Sequence, residues 1–157
     1  MSYSTINKEQ VLNIEPGSIP IIIFDYDNTL APHYNITTDF NDYISQINSN
    51  DIYILESFLY NQVNAGTIIV IISNNYKHII SKVLDYFNLG HYISEIIGGD
   101  YKRVSKIDRI NYVLYNYNKK PEDVSFIDDS PFHIKNDAIT QVRMYLYIGN
   151  TLLNFYN

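Results

Sequence analysis

Two stretches of this chain are almost wholly apolar, with no polar alternation: residues 19–24 (IPIIIF) and 67–72 (TIIVII). A strand with one wet face alternates apolar and polar side chains. A strand that reads as a continuous apolar run is covered on both faces, as in a parallel sheet between helices. Residues 123–127 (DVSFI) and 143–148 (RMYLYI) read as further strands, and 93–97 (ISEII), stopped by Gly98 and Gly99, as a fifth. Helical spacing fills the gaps. Ile52, Leu55, Leu59 and Val63 share one face of 51–64; Ile79, Ile80, Val83, Leu84 and Phe87 share one face of 75–88. Ile107, Ile110, Leu114 and Tyr117 share one face of 105–117, which opens with the capping pair Ser105 and Asp108. Ser130-Pro131 starts a short helix to 139. Strands alternating with helices predict an α/β fold: a Rossmann-like three-layer sandwich with a mostly parallel five-stranded sheet and helices on both faces. At 157 residues the chain is read as one domain, 19–157, behind an N-terminal extension, 1–18.

Composition narrows the function classes. The chain has no cysteine, which removes disulfides, thiolate zinc sites and cysteine nucleophiles together. Its 11 basic and 17 acidic residues give a formal charge of −6, which argues against non-specific coating of nucleic acid. Residues 1–18 lack the apolar core of a signal peptide, and no apolar run approaches the length that spans a bilayer. The expectation is a soluble, cytoplasmic protein with no membrane partner. The abundance of Ile, Asn and Tyr, with 16 tyrosines, follows the helices and strands as filler.

Parallel sheets bind ligands beyond the carboxyl ends of their strands, near a topological switch point. The first run is followed by Asp25-Tyr26-Asp27-Asn28-Thr29, the second by Ser73-Asn74-Asn75, and 123–127 by Asp128-Asp129-Ser130. Ahead of the third helix lies Lys102-Arg103-Val104-Ser105-Lys106. Each alone has an ordinary reading: a solvated acidic turn, a cap hydroxyl, a solvated lysine. Their joint placement favours a site. Four carboxylates at one edge repel each other unless a cation or proton compensates, and hard oxygen ligands suit Mg²⁺. A magnesium ion, a hydroxyl, a lysine and helix N-termini make a phosphate-sized cationic cradle. Of two carboxylates two residues apart, one can attack phosphorus while the other manages a proton. The basic set Lys102, Arg103, Lys106 and Arg109 is read as an ordinary solvated helix start. His33, His78 and His91 form no pattern and are read as surface or satisfied residues.

These residues resemble the motifs of the haloacid dehalogenase superfamily of aspartate-nucleophile phosphohydrolases. Residues 22–30, IIFDYDNTL, look like its first motif, and 68–75, IIVIISNN, like its second. Asp128-Asp129 look like the fourth, and Lys106, 22 positions earlier, like the third, with Lys102 as a competitor. The resemblance implies Asp25 as nucleophile and Asp27 as general acid and base. Mg²⁺ would be held by Asp25, the Asp27 carbonyl and Asp129, with Asp128 near it. Ser73 and the Asn74 N–H would bind phosphoryl oxygens beside Thr29, and Lys106 would neutralise charge. His133 stands where many relatives carry Asp or Asn. The 46 positions from Asp27 to Ser73 and the 33 from Ser73 to Lys106 leave no room for a cap domain, only for a small flap at 31–50. The expected function is a capless, Mg²⁺-dependent phosphomonoesterase acting on a phosphorylated substrate, including one displayed on a macromolecule. The alternatives are a non-catalytic phosphate-binding or regulatory module, or a polynucleotide 3′-phosphatase or magnesium nuclease.

Overall fold

The computed structural model describes residues 4–101, 104–134 and 141–157. Its strands are β1 (Ser4–Ile6), β2 (Ile21–Phe24), β3 (Ile68–Ile72), β4 (Glu95–Ile97), β5 (Val124–Asp128) and β6 (Arg143–Tyr147). They form one sheet in the order β1-β6-β5-β2-β3-β4, with every pairing parallel. The helices are α1 (Lys8–Leu12), α2 (Phe40–Ser45), α3 (Ser49–Asn64), α4 (Lys77–Tyr86), α5 (Lys106–Asn116) and α6 (Pro131–Ile134). The expected helix to 139 is described only to Ile134; residues 135–140 lie outside the described residues. No helix among the described residues is long and apolar enough to cross a membrane.

The unalternated runs behave as their composition requires. All four residues of β2 are buried, and successive side chains serve opposite cores. Ile22, Phe24, Ile69 and Ile71 pack with Leu55, Phe58 and Leu59 of α3 and Ile79, Ile80, Val83 and Leu84 of α4. Ile21, Ile23, Val70 and Ile72 pack with Ile110 and Val113 of α5 and Ile134 of α6. Each fully buried aliphatic side chain contributes about 1.5–3 kcal/mol, so β2 alone outweighs any single surface contact.

The sheet has six strands, where the sequence predicts five. The sixth is β1, whose Ser4 pairs with Tyr145 and Ile6 with Tyr147. Three residues are too short to carry a recognisable periodicity. The segment expected as an N-terminal extension thus supplies an edge strand and α1, whose Asn7 and Gln10 cap each other's backbone and whose Val11 is buried.

The strand order positions the site. From β2 the chain winds outward to β3 and β4, then returns to β5 on the other flank of β2. The switch point is therefore the carboxyl end of β2, between those of β3 and β5. Phe24 lies level with Ile71 on one side and Ile127 on the other, so the residues following each strand converge.

No cap domain stands over this edge among the described residues. Residues 31–50, expected as a flap, contain α2 and are anchored by aromatics. The Tyr43 hydroxyl lies 3.0 Å from that of Tyr26 and donates to the Pro32 carbonyl at 2.6 Å, while Tyr34 meets Tyr43 edge-on at 4.5 Å.

On the opposite flank, Gly98 and Gly99 back directly onto the turn after β3. The Gly99 N–H donates to the Asn75 carbonyl at 2.6 Å, and a Cβ on Gly99 would collide with the Asn74 carbonyl oxygen. Gly99→Ala is expected to destabilise the protein by about 1–3 kcal/mol, since backbone is the obstruction. A melting curve matching wild type would refute this tight backing.

Candidate active site

Asp25 is the first residue beyond β2, and its N–H donates to the Ile127 carbonyl at 2.9 Å, which holds it against β5. Asp128 ends β5 and is fully buried. Lys106, the first residue of α5, reaches across the sheet edge and donates from Nζ to Asp25 Oδ1 and Asp128 Oδ2, both at 2.9 Å. Ser105 caps that helix by accepting from the Asp108 N–H at 3.1 Å, as the sequence predicts. Of the two competing lysines, Lys106 is thus the one seen at the carboxylates; Lys102 and Arg103 lie outside the described residues.

Asp25, Asp128 and Asp129 each offer an oxygen within 4.8 Å of the others. Three carboxylates face one ammonium, so the cluster carries surplus negative charge. Burial pushes the Asp25 carboxyl well above its ordinary value; Lys106 opposes this and Asp128 adds to it. Burial also raises Asp129, against a hydrogen bond with Asp25 and with the help of the Asp128 charge. At Asp128, burial again opposes ionisation, but the His133 hydrogen bond, the Lys106 charge and the Ser130 N–H outweigh it and hold the carboxyl well below the usual range. Burial pulls the Lys106 ammonium down, yet its two carboxylates prevail and keep it above its ordinary value. Lys106 is therefore paired with Asp25 and Asp128 alike, and Asp129 adds a third carboxylate that the one ammonium does not meet. Such an all-oxygen donor set fits a hard divalent cation such as Mg²⁺.

His133 does not sit apart from this cluster. Its Nδ1 is 2.8 Å from Asp128 Oδ2, while Asp128 Oδ1 accepts from the Ser130 N–H at 2.9 Å. Both Asp128 oxygens are thereby engaged, which leaves Asp129 the more available acid. Thr29, expected beside the substrate, is fully buried, with its hydroxyl 3.5 Å from Asp129 Oδ1. It stands behind the acids.

Asp27 is turned towards the flap. Its Oδ1 accepts from the Tyr34 N–H at 3.1 Å and from Asn75 Nδ2 at 3.2 Å, and lies 3.3 Å from His33 Nδ1. Asn75 Nδ2 also donates to the Tyr34 carbonyl at 2.9 Å and so ties the β3 turn to the flap. His33, read from sequence as patternless, is a neighbour of this acid. The left-handed conformation of Asn28 (φ 63°), which asparagine tolerates, turns the chain after Asp27.

Ser73 follows β3 and is buried; its Oγ accepts from the Asn75 N–H at 3.1 Å. Its carbonyl accepts from Arg109 Nη1 at 2.8 Å, and Asn74 Oδ1 accepts from Nη2 at 2.9 Å. Of the basic set expected to be a solvated helix start, Lys106 and Arg109 depart from that expectation, since both are buried. Sequence reasoning missed what Arg109 does. The available signal was its position, on the stripe shared by Lys106, Ile110 and Val113 that turns inward. A cleft of about 180 Å³ lies beside Asn74, Lys106, Arg109 and His133, walled by Val104, Ile107, Phe126 and Phe132.

The chain matches the family of haloacid dehalogenase-like hydrolases over residues 38–144. That match begins after Asp25 and Asp27, so their place at the site rests on the structure. No curated protein matches the chain by sequence. Among solved structures, the fold resembles the N-terminal part of a Bacteroides fragilis protein containing a phosphatase domain complexed with Mg (TM-score 0.61, 17% identity, 84% of this chain and 36% of that one). It also resembles 3-deoxy-D-manno-octulosonate 8-phosphate phosphatase from Moraxella catarrhalis, solved with magnesium and phosphate ions (TM-score 0.53, 18% identity, 81% and 67% covered). A third likeness is to a haloacid dehalogenase-superfamily hydrolase from Geobacter sulfurreducens (TM-score 0.56, 13% identity, 83% and 90% covered). With the sheet order, the converging acids and a family match over more than half its length, this chain belongs to the haloacid dehalogenase-like hydrolases.

Proposed function

We propose that the protein is a Mg²⁺-dependent phosphomonoesterase with Asp25 as its nucleophile. The observation that supports this best is the Lys106 ammonium bridging Asp25 and Asp128 at 2.9 Å at the switch point of the sheet. The Asp25 carboxylate attacks phosphorus, and the ester oxygen leaves with its bonding electrons and takes a proton from Asp27. Water then attacks the aspartyl-phosphate, gives its proton to Asp27, and releases phosphate and the Asp25 carboxylate. Asp25, the Asp27 carbonyl and Asp129 would hold Mg²⁺, which when bound would neutralise charge on the phosphoryl oxygens. Thr29 and Asp128 keep the acids oriented, Ser73 and the Asn74 N–H receive phosphoryl oxygens, and Lys106 offsets the charge spread over them. The uncapped edge admits substrates whose phosphate projects from a larger body.

A second reading, phosphate binding without turnover, draws support from Asp27, whose Oδ1 already accepts from the Tyr34 N–H and Asn75 Nδ2 and lies 3.3 Å from His33 Nδ1. One experiment separates the readings: a screen over nucleotides, sugar phosphates, phosphopeptides and 3′-phosphorylated oligonucleotides, with Mg²⁺ or with chelator. Release of inorganic phosphate that chelator abolishes is expected. Binding of phosphate without release from any substrate favours the second reading, and internal cleavage of an end-labelled oligonucleotide indicates a nuclease.

A further inference from the structure

The guanidinium of Arg109 is a buried cation with an unusual set of partners. Nη1 donates to the carbonyls of Ser73 (2.8 Å) and Gly98 (3.3 Å), and Nη2 donates to Asn74 Oδ1 (2.9 Å). All three acceptors are neutral, and no carboxylate among the described residues lies within ion-pair distance. Nε is buried without a partner. A cation buried against neutral acceptors is costly, and an apolar residue on this stripe of α5 would suit the core better. Its three contacts all fall on two neighbouring segments: the turn after β3 and the strand end that backs it at Gly98 and Gly99.

We propose that Arg109 is a positioning residue that clamps the Ser73–Asn74 turn in the shape that receives phosphoryl oxygens. This rests on the phosphomonoesterase reading above. Bonding the Ser73 carbonyl and the Asn74 side chain to one rigid planar fork fixes the peptide between them, and with it the direction of the Asn74 N–H. The charge also stands near the site: Asp25 is the group that opposes the downward push of burial on the guanidinium. Lysine cannot substitute, because one ammonium does not present the fork that spans a carbonyl and a side-chain amide. Phosphoryl oxygens are anionic both in the bound ester and in the transition state. Loss of the clamp therefore weakens both states alike and appears in KM more than in kcat.

The test compares Arg109→Met and Arg109→Lys with Val113→Ala, a truncation of an apolar core side chain one turn further along the same helix. Steady-state turnover of p-nitrophenyl phosphate, competitive inhibition by inorganic phosphate and melting temperature are measured on each full-length chain. Both Arg109 variants are expected to raise KM and the phosphate inhibition constant by about tenfold or more, with kcat changed less than about threefold. Millimolar guanidinium, entering through the neighbouring cleft, is expected to restore part of the loss in Arg109→Met only. Val113→Ala is expected to melt earlier with KM unchanged. If Arg109→Met and Val113→Ala share one profile, lowered melting with intact KM, the clamp is refuted while the phosphomonoesterase reading stands. If wild type neither turns over p-nitrophenyl phosphate nor binds phosphate, the underlying reading fails and the clamp with it.

Discussion

Asp25→Asn is expected to abolish phosphomonoester turnover, by at least about 10³-fold, while leaving the fold intact. An amide oxygen can still accept from Lys106 but cannot form the acyl-phosphate bond. The stability of this variant follows a sign that distinguishes it from ordinary core damage. Burial raises the Asp25 carboxyl well above its ordinary value, against the pull of Lys106. A raised acid holds its proton more tightly folded than unfolded. Ionising it thus subtracts stability as pH climbs from the ordinary carboxylate range through the folded value. At neutral pH the metal-free wild type bears that cost, and the amide does not. Metal-free Asp25→Asn should melt at or above wild type near pH 7, with the gap closing towards about pH 4. Added Mg²⁺ should raise the wild-type melting temperature more than the variant's, because the ion binds a carboxylate better than an amide. Turnover retained in Asp25→Asn would overturn the covalent mechanism. A variant melting well below wild type would overturn the electrostatic account of the site.

Lys106→Met is expected to be the single change most damaging to stability, costing about 3–5 kcal/mol, with at least about 10²-fold lost in turnover. Methionine fills a similar length but leaves Asp25 and Asp128 facing each other with no cation. The two linked groups give the pH dependence. The Lys106 ammonium lies above its ordinary value, so its contribution is complete at neutral pH and disappears only as the solution becomes strongly alkaline. Asp128 lies below the usual range, so its share is present above the ordinary carboxylate value and is lost as pH falls through the folded one. The melting gap between wild type and Lys106→Met should therefore be wide at pH 7 and narrow on acidification, where protonated acids no longer need the lysine. Thermal scans from about pH 2 to about pH 8 measure it, a range that passes below the ordinary carboxylate value. A gap that is constant across that range would show that the lysine acts by packing its methylenes rather than by charge.

Much of this site was legible because its chemistry sits where strands stop. The runs before Asp25 and Ser73 lack alternation because β2 and β3 are covered on both faces, and that burial leaves its mark on composition directly. The Asp128-Asp129 pair and the capped start of α5 at Ser105 were readable for the same reason: each lies at an element boundary with its own signature. β1 was not readable, since its identity lies in its hydrogen bonds to β6 rather than in its three residues. The burial of Arg109 was missed because lysines and arginines usually face solvent, and only the placement of Gly98 and the β3 turn above α5 makes a buried guanidinium tenable. The environment of Thr29 was open for a related reason. A side chain's partner across 100 residues of chain, as Asp129 is for Thr29, leaves no local trace.

The amino-acid sequence by itself determined the kinds of element, their alternation, the parallel character of the sheet and the order of acids, hydroxyl and lysine along the chain. These follow from local periodicity and capping, which act over a few residues. Only the tertiary structure decided that β5 returns beside β2, that Lys106 spans Asp25 and Asp128, that His133 engages Asp128, and that Arg109 grips the turn after β3. Apart from the His133 contact, which spans 5 positions, each of those is a contact between distant segments. Its geometry depends on strand order and on which face each helix covers, and the net free energy of the packed molecule sets both.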